Sequence, residues 1–119
     1  MSKRTRNGDN KGCCVRAEKR LAIYLRDSFM CQYCGKDLHR EKPFNVTLDH
    51  LRPQVKSGNN EPKNLVTACR ACNCGRQDKP WRKYATSGAI QRIQRTVKRV
   101  LPRDLAKSII KGEVHDPRK

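Results

Sequence analysis

Aromatic residues are scarce in this 119-residue chain: one Trp, two Phe and three Tyr, 5% of the total. Acids are scarce as well, 11 Asp and Glu against 28 Lys and Arg, which leaves a formal net charge of +17. The apolar fraction is 35%, so one domain this short is not expected to build a large self-sufficient core. No apolar run approaches the ~20 residues that a membrane span needs. Residues 21–25 form about the longest one. The start of the chain is basic but leads into polar sequence around Asn7 and Asn10, so no secretory signal is expected. The expected location is cytoplasmic, and there seven cysteines point to metal binding more than to disulfides.

The positive charge extends along the whole chain. Residues 1–30 carry 8 bases and 3 acids, residues 31–80 carry 9 and 5, and residues 81–119 carry 11 and 3. Two basic flanks therefore surround a less basic centre. A nucleic acid is the natural partner for such a surface, because each Lys or Arg laid on a phosphate releases condensed counterions. A charge excess that merely keeps the chain soluble is the plainer alternative. Charge alone separates neither DNA from RNA nor an enzyme from a packaging protein.

Local patterns divide the chain into a basic flexible arm (1–14), a central domain (15–80) and a basic helical extension (81–119). Leu21, Tyr24, Leu25 and Phe29 recur at helical spacing, which predicts an amphipathic helix over 15–28. Residues 44–48 alternate and include β-branched side chains, a strand pattern. Residues 57–60 read as a turn. Over 64–72, Leu65, Ala68, Cys69 and Cys72 fall on one face of an expected helix. Ser87 is the expected N-cap of a helix with the stripe Ile90, Ile93, Val97, Val100 and Leu101, ended by Pro102. Its opposite side carries Arg92, Arg95, Lys98 and Arg99, either a solvated face or a contact for a DNA backbone. A last short helix through Leu105, Ile109 and Ile110 closes at Gly112.

Cys31-x-x-Cys34 and Cys69-x-x-Cys72 stand 34 residues apart. Two residues between thiolates let both sulfurs of one turn reach one ion, and two such turns supply tetrahedral sulfur coordination for a structural zinc. That ion would replace the core the composition lacks. Cys74 is not an expected ligand, since its spacing to Cys72 is tighter than that within either pair. Cys13 and Cys14 have no partner motif.

Between the cysteine pairs lie Leu48-Asp49-His50-Leu51-Arg52-Pro53 and Asn64-Leu65-Val66-Thr67-Ala68-Cys69-Arg70-Ala71-Cys72-Asn73. With Cys31-x-x-Cys34-Gly35 in front, this order resembles the HNH endonuclease family over about residues 20–80. The resemblance implies an α+β fold: a small zinc-stabilised ββα-metal core, here with flanking helices. It also implies hydrolysis of DNA phosphodiester bonds, with His50 as general base. By the same resemblance, Asn64 fixes the loop that carries the histidine, while Asp49 and Asn73 hold the catalytic cation. Asn73 stands where the family often has histidine. An amide and a carboxylate offer hard oxygens, so magnesium or manganese is the expected cofactor beside the zinc. Asn64 also reads as a helix N-cap and Asn73 as a C-cap.

The residues support that site on their own terms. Imidazole, with an ordinary pKa near ~6.5, suits proton abstraction from water at neutral pH, and a neighbouring carboxylate suits a hard divalent cation. Strand alternation sends Asp49 and His50 to opposite faces; a shared site requires the chain to bend after Asp49 and re-aim His50. Arg52, Arg70, Arg76, Lys79, Arg82 and Lys83 are the expected phosphate contacts, with Trp81 and Tyr84 available to stack on a base or to pack inward. His39 and His115 are expected at the surface. The expected partner is double-stranded DNA, and the expected state is a monomer or weak dimer. The rival reading is a non-catalytic zinc-stabilised nucleic-acid-binding or phage packaging accessory protein.

Overall fold

The computed structural model of the chain describes residues 15–53 and 59–119. The expected arm with Cys13 and Cys14, and the Ser57 and Gly58 half of the expected turn, lie outside the described residues. The fold is α+β: a two-stranded antiparallel sheet with five helices around it.

Helix α1 (Ala17–Arg26) forms where the helical spacing predicts it. Its Leu21, Ala22 and Tyr24 bury against Phe29 and against Ala106 and Ile109 of α5 (Arg103–Ile110), while Ile23 turns toward Val15 and Leu65. The helix stops because Ser28 and Phe29 take left-handed backbone, φ 58° and 50°. That conformation is unfavourable for a bulky residue. Phe29 is held in it by a bond from its N–H to the Tyr24 carbonyl at 2.8 Å and by burial of its ring.

The sheet pairs β1 (Val46–His50) with β2 (Leu65–Cys69), Val46 opposite Cys69 and His50 opposite Leu65. Each strand is entered through a short 3-10 turn, at Pro43–Asn45 and Pro62–Asn64. The first strand thus starts two residues later than its alternation suggests, with Phe44 left exposed in the turn. The helix expected over 64–72 is not there. Residues 65–69 are a strand, and the helix, α2, begins at Arg70 and runs to Arg76. All five residues of β2 are buried, so the strand shows no polar-apolar alternation, and a short continuous apolar run fits either period.

Val66 and Ala68 project into one small cluster with Cys31, Tyr33, Leu38, Cys72 and Ile93. Leu65 and Leu48 serve the opposite cluster, beneath α1 and Leu101. The second edge of β2 carries backbone groups with no strand partner, which a buried edge cannot leave bare. The Asp27 carboxylate accepts the Thr67 N–H at 2.8 Å, Arg26 Nη2 donates to the Leu65 carbonyl at 2.6 Å, and the Gln32 N–H bonds the Thr67 carbonyl at 2.9 Å. Arg26 and Asp27 also pair with each other at 2.7 Å, both side chains fully buried. The end of α1 therefore does the work of a third strand.

After α3 (Trp81–Tyr84), helix α4 spans Ser87–Thr96. Its cap is Thr86, one residue before the expected Ser87; the Thr86 hydroxyl accepts the Ala89 N–H at 3.1 Å. The helix ends at Thr96 and does not reach Leu101, so Val100 leaves the apolar stripe and is exposed. Arg92 is half-buried: it donates to the Gln32 and Tyr33 carbonyls at 3.1 and 3.3 Å and holds the first cysteine turn from behind. Among the described residues no helix is long and apolar enough to cross a membrane.

Candidate active site and metal centre

The two cysteine turns face each other across the end of the sheet. In the first, Gly35 takes φ +80° and its N–H bonds the Cys31 carbonyl at 2.9 Å, a backbone that favours glycine. The Cys34 N–H points at the Cys31 sulfur at 3.5 Å, and the Cys72 N–H at the Cys69 sulfur at 3.4 Å. All four sulfurs lie within 4.8 Å of one another, with Cys34 and Cys69 at 3.9 Å. Four sulfurs around one ion at ~2.3 Å stand about 3.8 Å apart, so this cluster can hold a single metal ion. Cys74 is exposed and outside the cluster.

Tyr33, between the first two cysteines, sends its hydroxyl to Asp49 Oδ2. Burial, then the Asp49 charge, pushes the Tyr33 hydroxyl well above its ordinary range, so it stays a donor. Tyr84 packs edge-on to Tyr33 at 5.3 Å and Trp81 packs on the same cluster. Tyr84 thus takes the inward of its two readings, while Trp81 also lines the cleft beside the His50 end of β1, and its indole carries the Arg82 guanidinium at 4.7 Å.

At the far end of β1, His50 Nε2 lies 2.6 Å from Asn60 Oδ1, and Asn60 is buried. Asn64 bonds the Arg52 backbone in both directions, accepting its N–H at 2.9 Å and donating to its carbonyl at 3.0 Å. The same amide donates to the Asn59 carbonyl at 2.7 Å. It thereby ties the chain after His50 to the chain before Asn60.

Asp49 is buried. Its Oδ2 meets Arg76 Nη1 at 2.6 Å, and burial raises its pKa against the pull of Tyr33 and Arg76. Strand β1 continues its regular pairing through His50, so the bend required to re-aim the imidazole is absent: Asp49 turns to Tyr33 and Arg76, His50 to Asn60. Asn73, on α2, donates to Thr47 Oγ1 at 2.9 Å and to the Leu48 carbonyl at 3.3 Å. It therefore stands against the stretch of β1 that leads into Asp49, with its amide oxygen as the remaining acceptor.

Residues 31–81 match the family model described as HNH endonuclease. Over that segment the chain is similar to the HNH endonuclease family. No curated protein and no solved structure matches the chain. The matched HNH segment holds both cysteine turns, both strands and α2, together with Asp49, His50, Asn60, Asn64 and Asn73.

One expected phosphate contact is corrected. Arg76 is buried, and its guanidinium is committed to Asp49, to the His50 and Leu51 carbonyls at 2.7 and 2.9 Å, and to the Lys79 carbonyl at 2.9 Å. It braces the end of β1, and only its edge reaches the cleft beside that end. Arg52, Arg70, Lys79, Arg82 and Lys83 are exposed. Arg52, Lys79 and Arg82, joined by Lys63, line a cleft of about 540 Å³ beside the His50 end of β1. Asn60 and Tyr33 are the site residues that sequence reasoning passed over. Asn60 sits in a turn-forming pair where asparagine needs no other explanation, and Tyr33 reads as an ordinary residue between ligands.

Proposed function

We propose that the chain is a metal-dependent endonuclease that hydrolyses phosphodiester bonds in double-stranded DNA, with His50 as general base. The observation that carries this reading is the contact between His50 Nε2 and Asn60 Oδ1. An amide oxygen only accepts, so Nε2 bears the proton, and in the neutral ring the lone pair is left on Nδ1. Water beside Nδ1 gives up a proton to it, and the water oxygen attacks phosphorus in line. The bond to the 3′ oxygen breaks, leaving a 5′-phosphate and, once the departing oxygen takes a proton from solvent, a 3′-hydroxyl. A general base of this kind contributes ~10²–10⁴ in rate.

Four thiolates are a structural zinc donor set. The oxygens of Asp49 and Asn73 fit a hard cation, with Asp49 offering Oδ1 while Oδ2 keeps Tyr33 and Arg76. When bound there, magnesium or manganese supplies positive charge to the phosphate and the leaving oxygen. Asp49 and His50 leave β1 on opposite sides, so one phosphate reaches both only past the end of the strand, which His50 closes. Arg52, Lys79 and Arg82 in the adjoining cleft, with Arg70 and Lys83, hold the phosphates of the strand. One such site cuts one strand, so a monomer nicks, and a double-strand break takes two copies or two visits. The test is conversion of supercoiled plasmid to the open circle in magnesium or manganese, by the wild-type chain and not by His50→Ala.

A further inference from the structure

We infer that a second cleft, at the opposite end of β1 from His50, holds the sugar–phosphate backbone of the same DNA duplex. Arg20 of α1, Arg40 of the loop after the first cysteine turn, and Arg118 and Lys119 from residues 115–119 line a cleft of about 490 Å³, together with Tyr24 and Val46. Four cations from three distant stretches gather in one concavity; Asp116 offsets the charge of Arg118, and an anion seated among the other three offsets their mutual repulsion. Glu41 is the one acid among the described lining residues, and it is committed elsewhere. It lies 3.2 Å from Lys36 Nζ and accepts from Asn45 at 3.1 Å.

Two of the cations are already held in place. Arg20 Nη1 donates to the Tyr24 hydroxyl at 3.1 Å. Arg118 lies over the Phe29 ring at 5.6 Å, with Asp116 gripping its fork at 2.7 and 3.0 Å. Arg40 and Lys119 are exposed. Exposed side chains spread along a cleft suit a continuous backbone better than a single small anion. Val46 and His50 stand at opposite ends of a five-residue strand, ~13 Å apart. A duplex presents a charge every ~1.7 Å of its axis, so one duplex reaches both places.

The inference rests on the chain acting on DNA, but its readout is binding and not cleavage. The experiment titrates a short fluorescent duplex with the full, zinc-loaded chain at several salt concentrations, with no magnesium or manganese added. Wild type is compared with Arg40→Gln/Lys119→Gln and with Lys107→Gln/Lys111→Gln, an equal loss of charge at exposed positions outside the cleft. The plot of log K against log salt becomes shallower by about 1.8 for the cleft pair, ~0.9 for each phosphate that is no longer neutralised, and is unchanged for the control pair. Equal slopes for the two pairs, or a cleft pair that keeps the wild-type slope, overturn the inference even if plasmid is nicked. A cleft-specific shift without nicking upholds it and rejects the nuclease reading.

Discussion

The imidazole of His50 is useful as a base only if one ring nitrogen is committed elsewhere, and Asn60 makes that commitment through an oxygen that cannot donate. Asn64 acts one step further out, through the Arg52 backbone and the Asn59 carbonyl. Replacing Asn60 with Ala therefore lowers the single-turnover cleavage rate by about 10–100-fold, the usual effect of losing a partner that orients a catalytic ligand. DNA affinity stays at the wild-type level. Asn60→Asp recovers most of the rate, because it restores an acceptor for Nε2–H. A purely structural role for Asn60 would instead make both variants equally poor and lower their melting temperatures together.

Two strands alone do not make a stable sheet, and here the missing pairing comes from the end of a helix. Asp27→Ala removes the acceptor of the Thr67 N–H and leaves the Arg26 guanidinium buried without its counter-ion. Breaking one side of a buried pair costs about 3–5 kcal/mol, a loss that denaturant unfolding of the zinc-loaded chain measures directly. Neither residue stands out in the sequence, where Arg26 and Asp27 look like an ordinary basic last turn and its cap. The cysteine turns, β1, α1 and α5 were legible because spacing or periodicity alone specifies them. The strand β2 was not, since burial on both faces erased its period. Asn64, Asp49 and His50 were legible as motif residues. Their partners Asn60, Tyr33 and Arg76 were not, because a hydrogen bond across the fold leaves no local pattern.

On the scale of the whole molecule, the apolar clusters among the described residues are small and divided by the sheet, and a metal ion held by the four sulfurs would supply what the core does not. Zinc binding to such a site is worth roughly 10–16 kcal/mol, as much as the ~5–15 kcal/mol total stability of an ordinary domain. Stripping the metal with a strong chelator therefore unfolds residues 31–81, seen as loss of far-ultraviolet ellipticity together with release of one zinc per chain. Cys31→Ser behaves the same way without chelator. The chain carries a net charge of +17, and among the described residues Arg52, Lys63, Lys79 and Arg82 gather in the cleft beside the His50 end of β1. The central claim is that a metal-braced HNH frame presents His50 as the base of a phosphodiesterase. The most direct test is the nicking rate of supercoiled plasmid by wild type and His50→Ala at equal zinc content and equal helicity. The account predicts a fall of ~10²–10⁴ in the variant; equal rates for the two proteins, or no magnesium- or manganese-dependent nicking by wild type, would contradict it.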